Sequence, residues 1–269
     1  SQMPLRKLLP QSNVRAIVRF GSSTPVNEVY PKFAGKRPIV EINVIDAVKD
    51  SANKLLMKKA FTEAKVITSD WWTYSEGRWR NQMVGNHTAW DDLPYPIVAK
   101  HIFGSRGTGN TLLNNQQESE AFIKNKDLSK YIFEKYYAYN REYRLHVTKN
   151  GCFYTCRKML KTDVPKEKRW FRNDQNSVWI VEDNPQFDRP INWNDIVADA
   201  VKALVSVGLD VGALDVRVQS SKNSDGKVID NPKWIIIETN SAPGLADVGL
   251  QKYVDIIPQL IAEKNENKI

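Results

Sequence analysis

Sulfur and imidazole are scarce in this chain. Its 269 residues include only two cysteines, Cys152 and Cys156, and three histidines, His87, His101 and His146. Two cysteines cannot build the disulfide framework of a small secreted scaffold. Nothing else in the sequence completes a zinc set around them. At i, i+4 on a strand-like run the thiols share a face but stand too far apart to bridge, so the expectation is reduced thiols and a cytoplasmic protein. The histidines have no evident partners and read as structural. No apolar run approaches the roughly 20 residues of a membrane span, which argues against a membrane partner, and residues 1–12 lack the apolar core of a signal peptide. Repeats and low-complexity tracts are absent as well.

Hydrophobic residues make up 41% of the chain, enough to bury the core of one large domain or two smaller ones. Lysine and arginine number 39 against 31 acidic residues, a net charge of +8. Such a balance favours polyanionic partners without proving them.

The most informative stretch lies near the end, where Ala213-Leu-Asp-Val-Arg217 and Trp234-Ile-Ile-Ile-Glu-Thr-Asn240 flank a polar connector. Residues alternate faces along a strand, so Asp215 and Arg217 share one side while Leu214, Val216 and Val218 take the other. Glu238 and Asn240 share one side of the second run. The Asp225-Gly226 turn signal makes the two runs a hairpin, in which Asp215 lies directly or diagonally across from Glu238. Carboxylates that close repel unless a cation sits between them, and oxygen donors of this kind suit Mg²⁺ or Mn²⁺. A solvated surface hairpin would use the same residues. The apolar run Trp234–Ile237 leading into Glu238 favours a buried strand whose acidic end opens on a cleft.

Upstream, Tyr95-Pro-Ile-Val-Ala-Lys-His-Ile-Phe-Gly104 and Ser105-Arg-Gly-Thr-Gly-Asn110 read as strand, loop, strand. Gly104, Gly107 and Gly109 would let backbone N–H groups approach phosphate oxygens, with Lys100 adding a point charge. The spacing fits neither a Walker loop nor a dinucleotide fingerprint, and a flexible hairpin tip is the plainer alternative. Between the two regions Tyr131-Ile-Phe-Glu-Lys-Tyr-Tyr137 forms an apolar strand, Asn140–Val147 a second bearing Glu142 and Arg144 on one face, and Cys152–Lys158 a third bearing Arg157. Two arginines on neighbouring strands would make an anion clamp.

In this order, Pro96-Ile-Val-Ala-Lys100, the Gly104–Gly109 loop, the Glu134 strand, Glu142-Tyr-Arg144, Arg157, Ala213-Leu-Asp215 and Glu238-Thr-Asn-Ser-Ala-Pro-Gly-Leu245 closely resemble the ATP-grasp superfamily. The likeness is to its carboxylate–amine ligases that add amino acids to proteins or peptides, of the ribosomal-protein glutamate ligase kind, and it covers about residues 52–262. It implies an α/β (α+β) class: an ATP-grasp fold at 93–269, with a lid at about 93–135 and a C-terminal subdomain at about 136–269, behind a small N-terminal α/β domain at 1–92. It implies ATP and Mg²⁺ (or Mn²⁺) as cofactors. Lys100 becomes a phosphate ligand, and Gly104, Ser105, Gly107, Thr108 and Gly109 a mobile loop over the phosphates. Glu134, Lys135, Tyr136 and Tyr137 become the hinge that reads adenine, and Asp215, Glu238 and Asn240 the metal ligands. Arg144 and Arg157 become the basic residues facing the acyl phosphate or γ-phosphate. The implied activity is ADP-forming ligation of a carboxylate to an amine on an amino acid, peptide or protein. Small-molecule kinases share the fold and metal triad. Lys135 stands where members of the ATP-grasp superfamily often carry an acid, which leaves the ribose contact unassigned, and Cys156 stands where some of them carry a charged residue before the arginine.

Elsewhere, Val14–Phe20 reads as a strand, Gly21–Thr24 as a loop and Pro38–Val44 as a second apolar stretch. A helix follows, capped by Asp50 or Ser51, with Leu55, Leu56, Ala60, Phe61 and Ala64 inward and lysines outward. Further helices are expected over Gln116–Lys124, over Asp195–Val207 ending at Gly208, and over Leu250–Lys264 interrupted at Pro258. In the loop Thr162–Asn176, Lys166, Lys168, Arg169 and Arg172 interleave with Trp170 and Phe171. That pattern resembles a stacking-and-phosphate surface for single strands, so a nucleic-acid acceptor stands beside an acidic peptide or amino acid.

Overall fold

Among the described residues, runs of β-branched and aromatic residues, punctuated by turn residues, fold into three sheets that position a large cleft. The structure is a computed structural model and describes residues 16–23, 40–104, 109–173 and 175–266. Ser105, Gly107 and Thr108 of the glycine-rich loop fall outside the described residues, as do parts of the expected segments Val14–Thr24 and Pro38–Val44.

In the N-terminal part, β1 (Ala16–Val18) pairs in parallel with β2 (Val40–Ile42). Two helices follow where one was expected, α1 (Ile45–Ala52) and α2 (Lys54–Glu63). The break falls at Asn53, whose side chain accepts from the amides of Leu55 and Leu56 and so caps α2 in place of Asp50 or Ser51. The inward face also differs. Met57, Lys58 and Phe61 are buried while Leu56 is 41% exposed.

A six-stranded sheet in the order β5-β4-β3-β8-β6-β7 comprises β3 (Trp71–Ser75), β4 (Arg78–Asn81), β5 (His87–Thr88), β6 (Ile97–His101), β7 (Thr111–Leu113) and β8 (Tyr131–Lys135). Because β3–β5 precede residue 92 and β6–β8 follow it, the expected division at 92 falls inside this sheet. Trp72, Trp79, Phe133 and Phe122, the last on α3 (Gln116–Lys124), form its aromatic core. Trp79 meets Phe133 edge-on at 4.7 Å, a favoured ring geometry.

A five-stranded antiparallel sheet follows: β9 (Arg141–Thr148), β10 (Gly151–Leu160), β11 (Ser177–Val181), β12 (Val211–Val218) and β13 (Trp234–Asn240), in the order β11-β10-β9-β12-β13. One face carries the main core. Tyr143, Leu145, Leu214, Val216 and Ile236 pack against Ile196, Ala200 and Leu204 of α4 (Trp193–Ser206) and against Met57 and Phe61 of α2. Each fully buried side chain of this size contributes roughly 1.5–3 kcal/mol. Gly208, at φ 74°, lies just beyond the end of α4. Last, α5 (Asp247–Glu266) runs through Pro258 without interruption. The carbonyl four residues back, deprived of its amide donor, belongs to Val254, which is 55% exposed. Among the described residues no helix is long and apolar enough to cross a membrane.

Two contacts seat the N-terminal part on the hairpin. The Asn43 side chain accepts from the amides of Asp210 and Val211 and donates to the Val211 carbonyl at 2.9 Å. Gly21, at φ 71°, passes so near Ala242 that a Cβ there would lie 2.6 Å from the alanine methyl.

Candidate functional site

The opposite face of the five-stranded sheet and one face of the six-stranded sheet, at its interior strands β6 and β8, enclose a cleft of about 760 Å³. The acidic hairpin forms one wall. Asp215 lies directly across from Glu238, and Ala213 across from Asn240, while a bulge next to the Asp215 pair adds Ile237 on the β13 side. Asp215 is also directly across from Arg144 on β9, whose Nε and Nη2 donate to its two carboxylate oxygens at 2.6 and 2.8 Å. Burial alone would raise the Asp215 carboxyl; the guanidinium outweighs it and holds the group below the usual carboxylate range. Glu238 is met by the Lys54 ammonium at 3.6 Å. The repulsion between the two acids is therefore offset by two cations of the chain itself.

These residues still fit a hard divalent ion. All three side chains offer oxygen, each carboxylate oxygen bonded by Arg144 keeps further lone-pair capacity, and Asn240 reaches the cleft with its Nδ2 unpartnered. Among the described residues no group of three or more His, Cys, Asp or Glu side chains could hold a metal. Two carboxylates and an amide would leave the remaining positions to phosphate and water.

On the other wall Lys100 of β6 and Lys58 of α2 converge on one oxygen of Glu134, at 3.0 and 3.2 Å. Lys58 also donates to the Thr68 hydroxyl at 2.5 Å. Burial lowers the Lys58 ammonium to about 8, with Glu134 opposing the fall and Lys100 adding to it. For Glu134 burial pushes upward, yet the two ammonium groups win and its carboxyl stays below the ordinary value. Its second oxygen has no hydrogen-bond partner. Along the adjoining segment the amides of Lys135 and Tyr136 are engaged by the Asp70 and Pro96 carbonyls at 2.9 and 3.0 Å. Tyr137 donates its hydroxyl to Asp70 at 3.1 Å. Gly104 borders the cleft, whereas Gly109, at φ 79°, packs on His101.

Arg157 does not join Arg144. It stands across from Tyr143, on the core side of the sheet, and donates to the Gln186 and Phe187 carbonyls at 2.6 and 3.2 Å. Strand alternation is the reason: Cys156 opposes Arg144 and Lys158 opposes Glu142, so the neighbours of Arg157, not Arg157 itself, face the cleft. Lys158 supplies the second cation, 4.9 Å from the Trp179 ring that also carries Arg144 at 4.7 Å. A bulge between Cys152 and Tyr154 likewise separates the two cysteines. Cys152 packs on the main core and Cys156 faces the cleft side, and both are free.

The basic loop is divided, with Trp170, Phe171 and Arg172 turned to the cleft and the other basic residues at the surface. Trp170 and Phe171 border the cleft, Arg169 donates to the Val164 carbonyl, and Arg172 and Arg217 share Glu142 at 3.2 and 3.0 Å. Among the described residues Lys166, Lys168 and Arg169 of that group are solvent-exposed, and of these Arg169 is the one tied to a backbone carbonyl. Each histidine has a partner: His146 meets the Tyr253 hydroxyl at 3.1 Å, His101 accepts from the Phe103 amide at 3.2 Å, and His87 lies 3.4 Å from the Trp79 carbonyl. Lys54, Lys58, Lys158 and Arg217 are site residues that sequence reasoning passed over. Alternation already set Arg217 on the Asp215 side without giving it a role, and extended to β10 it could have found Lys158; nothing in a lysine-rich helix marks Lys54 or Lys58.

This architecture is the ATP-grasp fold. Solved structures similar to the chain include D-alanine–D-alanine ligase from Bacillus anthracis, at a TM-score of 0.56 and 13% identity over 84% of this chain and 72% of that one. The same enzyme complexed with ATP gives a TM-score of 0.63 at 12% identity, covering 97% of this chain and 84% of that chain. The ATP-grasp ligase PsnB, complexed with a minimal precursor, gives 0.50 at 13% identity over 77% and 56%. No family model and no curated protein matches the sequence.

Proposed function

We propose that the chain is an ATP-dependent, ADP-forming carboxylate–amine ligase. The observation that carries this reading is the cleft itself, where an acidic cross-strand pair with Arg144 on it faces Lys100 across a space of about 760 Å³. In the reaction a substrate carboxylate oxygen attacks the γ-phosphorus of ATP and ADP leaves. An amine then attacks the acyl-phosphate carbonyl and inorganic phosphate leaves. Neither step needs a covalent bond to the protein, so the residues act by placement and by charge. Lys100 and Arg144 offset charge on the transferred group, in company with Lys158 where Arg157 was expected. Glu134 holds Lys100 in place, and the segment from Lys135 to Tyr137 borders the base. Mg²⁺ or Mn²⁺, held by Asp215, Glu238 and Asn240, would shield the phosphate charges. Ser241–Leu245 shape the far end, where the carboxylate and amine of an amino acid, peptide or protein would meet.

Phosphate release from ATP, measured across a panel of amino acids and peptides, tests the reading. Release that requires both a carboxylate and an amine is the expected result. A stable phosphate ester formed from a hydroxyl compound alone would make the protein a kinase, and no nucleotide turnover under any pairing would remove the ligase assignment.

A further inference from the structure

Lys54 breaks a local rule. It is the first residue of α2, where the positive end of the helix dipole disfavours a cation, and yet its side chain is only 11% exposed. Three contacts hold it there. Its amide donates to the Ile102 carbonyl at 2.8 Å, its ammonium donates to the Gly104 carbonyl, and the same ammonium lies 3.6 Å from a Glu238 oxygen. Among the described residues no other cation lies within ion-pair distance of Glu238, just as Arg144 is the cation on Asp215. A residue that opposes its own helix dipole and sits against an acid in a cleft is a sign of function rather than of stability.

We infer that Lys54 is a resident counter-ion of Glu238, a positioning residue that occupies the electrostatic place of a divalent cation and competes with it. This inference rests on the reading of Glu238 as a metal ligand. While the ammonium is against Glu238 it satisfies the carboxylate and repels an incoming divalent ion. When the ion takes Glu238, Lys54 keeps its Gly104 bond and remains a cation at the border of the cleft. The chain thereby favours metal that arrives with phosphate over metal alone, because phosphate supplies the negative charge that offsets both cations. Two unit charges about 4 Å apart interact by several RT at a protein surface, and a divalent ion doubles that.

Mn²⁺ binding to the nucleotide-free protein, followed by the paramagnetic resonance of free Mn²⁺, tests this without any turnover. Lys54→Gln keeps a donor for Gly104 and loses the charge; Lys54→Arg keeps the charge; Lys54→Met serves if the glutamine variant misfolds by circular dichroism. The inference expects Lys54→Gln to bind Mn²⁺ at least about fivefold tighter than the parent, Lys54→Arg to match the parent, and Glu238→Gln to bind more weakly. If Lys54→Gln matches the parent while Glu238→Gln is weakened, Lys54 is not a competitor and the metal assignment stands. If Lys54→Arg tightens binding as much as Lys54→Gln, charge is not the cause and the inference is wrong. If Glu238→Gln is unaffected, or neither parent nor Lys54→Gln binds Mn²⁺, the metal assignment fails and the inference with it.

Discussion

Lys58 gives the sharpest test of the buried charge cluster. Its side chain is wholly inaccessible, and burial lowers the ammonium from 10.5 to about 8 despite the Glu134 carboxylate 3.2 Å away. Between those two pH values the unfolded chain holds a proton on Lys58 that the folded chain has released. Stability therefore rises with pH through that window, whereas below pH 8 both states are protonated and the contribution is flat. At about 1.4 kcal/mol per pH unit, the gap from 10.5 to about 8 amounts to about 3 kcal/mol. Other groups titrate nearby in the opposite sense. Burial pushes the Cys152 thiol up to about 11 and the Cys156 thiol up to about 12, which makes stability fall above the ordinary thiol value. Comparison with Lys58→Met cancels them, since both proteins carry both cysteines. Urea unfolding of the two proteins from about pH 7 to about pH 10.5 should show the parent gaining on the variant by about 3 kcal/mol, nearly all of it above pH 8. The offset at neutral pH mixes a lost ion pair with a relieved desolvation cost; the slope isolates the ammonium. Parallel pH profiles would refute the buried, charged lysine at Glu134.

Three further outcomes are expected. Lys100→Ala should weaken ATP binding by about 1.5–3 kcal/mol, the range for a charge-assisted contact, and unchanged affinity in calorimetry would take Lys100 out of the site. Arg157→Leu should lower stability by about 0.5–1.5 kcal/mol, the net range for a lost hydrogen bond, because the Phe187 carbonyl keeps the Tyr143 hydroxyl and the Gln186 carbonyl is open to water, while leaving nucleotide affinity alone; a loss of ATP binding with normal stability would return Arg157 to the cleft. With Trp170 and Phe171 facing inward and Arg172 tied to Glu142, the protein should not retain single-stranded DNA or RNA at low salt, and retention falling by about 0.7 log units per neutralised phosphate per tenfold salt would restore an acceptor surface on that loop.

Local rules carried the sequence a long way along β12 and β13. Strand alternation and a turn signal put Asp215 directly or diagonally across from Glu238, and the pairing of β12 with β13 resolves this to a direct pair that the long connector by itself left open. The helices over Gln116–Lys124 and behind Gly208 were legible too, since a 3.6-residue period and its stop signals are local properties. Where the chain needed distant information the reading failed. Which face of β10 meets the cleft depends on its pairing with β9 and on a bulge at Cys152–Tyr154, so Arg157 was placed with Arg144 when Lys158 belongs there. Lys54 and Lys58 looked like solvated helix charges, and only the packing of α2 between the two sheets brings Glu238 and Glu134 to them. The sheet that runs across residue 92 joins strands from both sides of an expected boundary, a long-range pairing that no window of sequence displays. Periodicity determines what an element is and which residues share its face; the partner that face meets is set by burial and charge summed over the whole fold.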